Sequence, residues 1–313
     1  MPLQVLFLAT IIFLSFFIAH PRERDFASLP ESKAPNLANV SALSPSSLAP
    51  ADLPGSDFRC SGIDPARLSL MGGRAAFAEY LDNNSVIFEK NTEKRWPIAS
   101  LTKLMTAVVA SEKMSSDTEI TITENAVATE GIAGGFKAGE KFLLRDLIKA
   151  MLVSSSNDAS YAIAESFGEK NFIDAMQAKA TELLMLDTTF VEPAGLSPLN
   201  QSTASDLVKL VKYIREQEPE LLAISRRKEA AIVELGAEKA RRLLNVDRFA
   251  GEDDFLGGKT GYTDEAERNL IAIFDIRGKE VLTVVLGSQS ALDETKTIKN
   301  FIDSCATNNL TTN

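Results

Sequence analysis

Pro97-Ile98-Ala99-Ser100-Leu101-Thr102-Lys103-Leu104-Met105-Thr106 (97–106) is the stretch around which the chain is organised. Pro97-Ile98-Ala99 leads into it, and the apolar residues that follow predict a helix from Ser100 to about Lys113. A serine and a lysine three apart at a helix start lie on one face, about a turn from each other. Serine is a poor nucleophile at neutral pH without a base beside it. Lysine is such a base when apolar packing and nearby positive charge favour its neutral form. The helix start adds backbone N–H groups suited to a developing oxyanion. Ser-x-x-Lys alone arises by chance in most chains of this length, so its weight depends on the rest of the sequence.

The chain has 313 residues, 45% of them hydrophobic and 24% charged, an ordinary globular composition. Its formal net charge of −10 argues against a nucleic-acid partner. His20 is the one histidine, beside the N-terminal apolar run. A Ser-His-Asp hydrolase, a Cys-His protease and a histidine-built zinc site are thereby excluded from the body of the protein. Any nucleophilic chemistry must use Lys, Asp, Glu or Tyr as its base. The two cysteines, Cys60 and Cys305, lack metal-ligand spacing.

Residues 3–19 are almost wholly apolar and just long enough to cross a bilayer, so residues 1–20 are expected to be an anchor or signal segment. No clean small-x-small cleavage site follows, which favours an uncleaved anchor. Arg22 and Arg24 lie after the run, against the usual placement of cytoplasmic positive charge. Residues 21–57, punctuated by Pro30, Pro35, Pro45, Pro50 and Pro54, read as a disordered Pro/Ser/Ala-rich tether. A single folded domain is expected over 58–306, with a disordered tail at 307–313.

Within that domain Ala75–Asp82 and Ser85–Lys90 flank Asn83-Asn84 and predict a β-hairpin. Leu143, Leu147 and Met151, with Leu144, Ile148 and Leu152, predict an amphipathic helix that runs into Ser154-Ser155-Ser156-Asn157. Further helices are expected over about 159–167, 172–185, 204–216 and 291–305. Strands are expected over 228–235, 255–263, 269–276 and 280–288. Strands, then helices, then strands imply an α+β fold: a mostly antiparallel sheet flanked by helices, with a helical subdomain inserted into it and a cleft between.

Ser155-x-Asn157 alone reads as an ordinary helix end, and Lys259-Thr260-Gly261 alone as an edge strand with an exposed lysine. In order, Ser-x-x-Lys, Ser-x-Asn and Lys-Thr-Gly form the signature of the penicillin-recognising serine enzymes. The flanks at 97–106, 139–159 and 257–263 closely resemble the D-alanyl-D-alanine carboxypeptidase family, and the resemblance covers about 74–288. It implies a β-lactamase/transpeptidase-like fold and a serine D-Ala-D-Ala carboxypeptidase. Its substrate would be the peptidoglycan stem peptide, with β-lactam antibiotics as covalent inhibitors and no cofactor or metal. The place of action would be the extracytoplasmic envelope, tethered to the membrane through residues 3–19.

By the same resemblance, Ser100 attacks the carbonyl of the penultimate D-alanine and Lys103 takes its proton. Ser155 bridges Lys103 and Lys259 and relays a proton, and Asn157 holds the substrate amide. Lys259 and Thr260 receive the terminal carboxylate, while Gly261 allows close approach. The N–H groups of Ser100 and Tyr262 form the oxyanion hole. A D,D-endopeptidase is the alternative activity, followed by a β-lactamase and a weakly active penicillin-binding sensor or scaffold. Where relatives often carry Asn-x-Asn, this chain has Glu238 to Leu244, whose Arg241 and Arg242 read as a solvated charge run. Glu218 to Leu222 looks like a β-lactamase deacylation loop but lacks its water-holding asparagine. Gly131 to Gly139 reads as a plain loop. Cys60 and Cys305 are either bridged, in an oxidising compartment, or two buried thiols.

Overall fold

The structure, a computed structural model, describes residues 71–131, 134–237 and 239–308, the side chains of 305–308 excepted. The expected anchor and tether, residues 309–313 of the expected tail, Cys60 and the Cys305 side chain lie outside what is described, whereas residues 307 and 308, expected in a disordered tail, are helical.

The fold begins with the expected hairpin, β1 (Ala75–Tyr80) and β2 (Ser85–Lys90). A short strand, β3 (Trp96–Pro97), leads to a single turn of 3-10 helix at Ala99–Leu101 and then α1 (Thr102–Lys113). The helical block continues through β4 (Glu119–Thr121), α2 (Glu124–Val127), β5 (Lys141–Leu143), α3 (Leu144–Val153), α4 (Asn157–Phe167) and α5 (Glu169–Glu182). It closes with β6 (Gln201–Ser202), α6 (Ala204–Gln217) and α7 (Pro219–Ser225). After the small ladder of β7 (Glu229–Ile232) and β8 (Arg241–Leu244), the chain returns to the main sheet as β9 (Phe255–Thr263), β10 (Glu267–Ile276) and β11 (Lys279–Ser288). It ends in α8 (Ala291–Asn308).

The main sheet has the order β2-β1-β11-β10-β9, with every neighbouring pair antiparallel. The two ends of the domain thus build one sheet, and the helical block is inserted between β2 and β9. Alternation along the strands divides the core in two. Phe77, Ile271, Ile273, Leu282 and Val284 face the helical block. Ala76, Leu270, Phe274 and Val285 face α8, where Phe249, Phe255 and Phe274 form an aromatic cluster. β9 is an edge strand, so one of its sides is open to another chain.

Several boundaries, and the setting of one arginine, differ from the sequence reading. α5 starts at Glu169, just after Gly168 at φ +94°, and ends before Leu184, which takes φ +57° and stops the helix short of Met185. α4 starts at Asn157 because the Ser156 hydroxyl caps it, accepting from Ala159 N at 3.2 Å. Arg241 is not a solvated charge: it pairs through both oxygens of Glu140 and donates to Gly134 O and Gly135 O. Its guanidinium also lies over Phe136 and Phe142. It therefore fastens β8 to the glycine-rich loop, while Arg242 pairs with Glu229 across the β7–β8 ladder.

Candidate active site

Ser100 sits in the 3-10 turn just before α1, after Ala99 at φ +47°. Left-handed backbone at a non-glycine residue costs on the order of 1 kcal/mol or more and persists only where packing enforces it. Two glycines show the enforcement. A Cβ on Gly195 would stand 1.8 Å from Ala99 O, and one on Gly261 would stand 2.9 Å from Ile98 O and 3.1 Å from Ser100 N. The turn is clasped between the 190–200 segment and β9.

Lys103, on the first turn of α1, is fully buried. Its Nζ lies 2.8 Å from Ser100 Oγ, 2.7 Å from Asn157 Oδ1 and 2.6 Å from Ala194 O. Two of these three partners only accept. A neutral amine spends its two N–H bonds on them and leaves its lone pair directed at the Ser100 hydroxyl. The neutral form is favoured: burial and the charge of Lys259 push the Lys103 pKa well below its ordinary value, with Glu192 acting weakly in the other direction.

The second serine occupies the corner between α3 and α4. Ser155 takes φ +59°, which ends α3 and turns its side chain toward Lys259. Lys259, on β9, is also buried, and its Nζ donates to Ser155 Oγ at 2.9 Å and to Thr260 O at 2.8 Å. Burial lowers its pKa to about 8, and Asp247 opposes the fall. Asp247 is itself buried, accepts from Phe249 N through Oδ1, and has no hydrogen-bond partner at Oδ2.

The expected residues thus converge, with two departures. Ser155 is bonded to Lys259 but not to Lys103, whose three contacts are already filled, so the direct bridge between the lysines is not made. The Asn157 amide is engaged by the protein on both ends: Oδ1 accepts from Lys103, and Nδ2 donates to Glu130 O at 2.5 Å. Thr260, Gly261 and Tyr262 line a cleft of about 480 Å³ together with Ser100 and Ser155. Glu218 stands apart from this cleft, in the field of Glu112 and Lys179.

Sequence reasoning missed the residues that carry Ala194 O to Lys103. Buried Glu192 accepts from the N–H groups of Ala194, Gly195 and Ser197. Asn200 donates to Glu192 and to Thr102 Oγ1, and accepts from Val191 N. Thr106 donates to Pro193 O at 2.6 Å. The sequence cue was the stretch Phe190 to Leu196, which resembles a segment of the same family and holds Glu-Pro-Ala-Gly at 192–195.

The D-alanyl-D-alanine carboxypeptidase family model matches residues 72–290, which contain every one of these groups. The chain belongs to the D-alanyl-D-alanine carboxypeptidase family. A D-alanyl-D-alanine endopeptidase of Pseudomonas aeruginosa is 33% identical over 232 residues, covering 71% of this chain and 73% of that one. The D-alanyl-D-alanine carboxypeptidase DacF of Bacillus subtilis is 29% identical, covering 71% of this chain and 59% of that one. Among solved structures, the D-alanyl-D-alanine carboxypeptidase DacD of Francisella tularensis superposes with a TM-score of 0.67 at 26% identity. That match covers 79% of this chain and 71% of that one. A D-alanyl-D-alanine carboxypeptidase from Mycobacterium tuberculosis, at 22% identity and a TM-score of 0.69 over 74% of this chain and 90% of that one, shares the fold. No histidine lies among the described residues, and the Lys103 amine is in hydrogen-bond contact with the Ser100 hydroxyl.

Proposed function

We propose that this chain is a serine D,D-carboxypeptidase that removes the terminal D-alanine from peptidoglycan stem peptides. The observation that carries the reading is the buried Lys103 amine 2.8 Å from Ser100 Oγ, with its other two contacts on pure acceptors. Ser100 Oγ adds to the carbonyl carbon of the penultimate D-alanine as its proton passes to Lys103. The N–H groups of Ser100 and Tyr262 receive the oxyanion, and Thr260 with Lys259 receives the terminal carboxylate. The C–N bond then breaks, and the proton held by Lys103 reaches the departing nitrogen through Ser155. That proton is the third N–H, gained from Ser100, because the other two stay on Asn157 Oδ1 and Ala194 O. Water attacks the ester with Lys103 again as base, and Ser100 is restored.

The same geometry supports covalent capture of β-lactams on Ser100. Benzylpenicillin added to the wild type should give an intact-mass increase of one drug molecule, absent in Ser100→Ala. Hydrolysis of the drug with no adduct would instead indicate a β-lactamase, and an intact drug with no adduct a non-catalytic scaffold. Release of D-alanine from a D-Ala-D-Ala peptide tests the activity itself. A second reading, cleavage of crosslinked peptides, is favoured by the likeness to the Pseudomonas aeruginosa endopeptidase. Residues 3–19 tether the enzyme to the membrane, with the catalytic domain outside the cytoplasm where its substrate lies. No helix among the described residues is long and apolar enough to cross a membrane.

A further inference from the structure

The cleft at Ser100 does not end at Thr260. Thr260 pairs with Leu270 and Tyr262 with Arg268 across the β9–β10 ladder, so these four side chains share the sheet face opposite the helical block. The same cleft is lined by Arg248 and, at the start of α8, by Ala291 and Asp293. Terminal D-alanine carries only a methyl group beyond its carboxylate, and space of this kind exceeds its need.

The charges in that space are unusual for this molecule. Seven of the described arginines are held by a carboxylate in a chain of net charge −10. Of the four described arginines with no carboxylate partner, Arg95, Arg226, Arg248 and Arg268, the last two both line this cleft. Arg268 lies over the Tyr262 ring, 4.9 Å from its centroid, which limits its freedom without neutralising it. Asp293 is the one acid in the wall, and it accepts from Ser290 Oγ. The cleft beyond Thr260 therefore carries two guanidinium groups against one engaged carboxylate.

We infer that this extension is a leaving-group subsite for a D-residue whose side chain is longer than alanine's and ends in a second carboxylate, held by Arg248 and Arg268. The inference rests on the peptidase reading above and names the substrate class of that site. A planar guanidinium recognises a carboxylate through paired N–H bonds, and an isosteric amide forfeits the charge-assisted part.

The test uses the full chain and N-acyl peptides ending in D-Ala-X, where X is D-alanine, D-glutamine, D-glutamate or D-α-aminoadipate. The wild type should show a kcat/KM roughly tenfold higher for D-glutamate or D-α-aminoadipate than for D-glutamine, a preference that shrinks with salt. Arg248→Ala and Arg268→Ala should each bring that ratio toward one, and Asp293→Asn should raise it. Arg226→Ala, an exposed arginine away from the cleft, should keep the wild-type ratio. Complete penicillin labelling of each variant reports folding. Cleavage of D-Ala-D-Ala with no preference for the anionic X, or a preference that survives both arginine substitutions, overturns the subsite alone. Absence of both cleavage and penicillin labelling overturns the peptidase reading, and the subsite with it.

Discussion

At the residue scale the site is a problem of two buried lysines. Each would lose several kcal/mol if moved as an isolated charge into a dry interior, and they repel each other. The structure separates their tasks by what surrounds them. Lys103 is ringed by acceptors and pushed toward neutrality, while Lys259 has buried Asp247 nearby to retain its charge. Lys103→Ala should therefore lower penicillin acylation by about 10²–10⁴-fold, the usual loss for a positioned base, without unfolding the protein. The alkaline side is set by Lys259. As pH rises through about 8 it loses its proton, and kcat/KM, which reports the free enzyme, should fall there. Asp247→Asn keeps the Oδ1 that Phe249 N requires but removes the negative field, so this limb should move to lower pH. A pH–rate profile of both proteins checks it, and an unmoved limb would show that Asp247 does not set the Lys259 charge. Stability runs the other way. The folded pKa of Lys259 lies below the unfolded value, so the unfolded chain binds more protons between the two. Stability then rises with pH through that window and is lost as pH falls through about 8.

At the scale of elements, the nucleophile is aimed by backbones rather than by its helix. The 3-10 turn at Ala99–Leu101, the 190–200 segment and β9 are pressed together at Gly195 and Gly261. Gly195→Ala would drive a methyl group into Ala99 O from a residue already at φ +85°. It should cost about 1–3 kcal/mol of stability in a denaturant titration and slow acylation beyond what the lost folded fraction explains. A fully stable and fully active Gly195→Ala would mean that the turn is held elsewhere. The sequence made the long elements legible because they carry period: β9 over 255–263, the β1–β2 hairpin and the apolar stripe of α3 all lie where patterning places them. The three motifs, each ordinary alone, were legible through their order along the chain and their flanking residues. Two- and three-residue ladders such as β3–β6 and β4–β5 have too few residues to show alternation. Glu192 and Asn200 were illegible for another reason: their bonds run to backbone N–H groups whose positions depend on the tertiary fold.

At the scale of the whole molecule, one sheet built from both ends of the domain holds the three motifs on three different elements. Ser100 comes from the 3-10 turn before α1 and Lys103 from the first turn of α1, Ser155 and Asn157 from the α3–α4 corner, and Lys259 to Tyr262 from the sheet edge. This assembly has its own buried core on both faces of the sheet, which argues that it folds without the N-terminal segment. The proposed anchoring by the apolar run 3–19 is then separable from catalysis. Full-length protein should sediment with membranes and resist a high-salt wash, whereas a chain beginning at residue 58 should stay soluble and still take one penicillin on Ser100. Phe13→Arg, at the middle of the run, places a charge where it costs about 2.5–3.5 kcal/mol, and should shift full-length protein toward the soluble fraction. The penicillin label reports folding in each fraction, so a mislocalised enzyme is distinguished from a misfolded one. A soluble, fully labelled full-length protein would show that residues 3–19 do not anchor the chain. Loss of labelling on removal of residues 1–57 would show instead that the catalytic domain needs them.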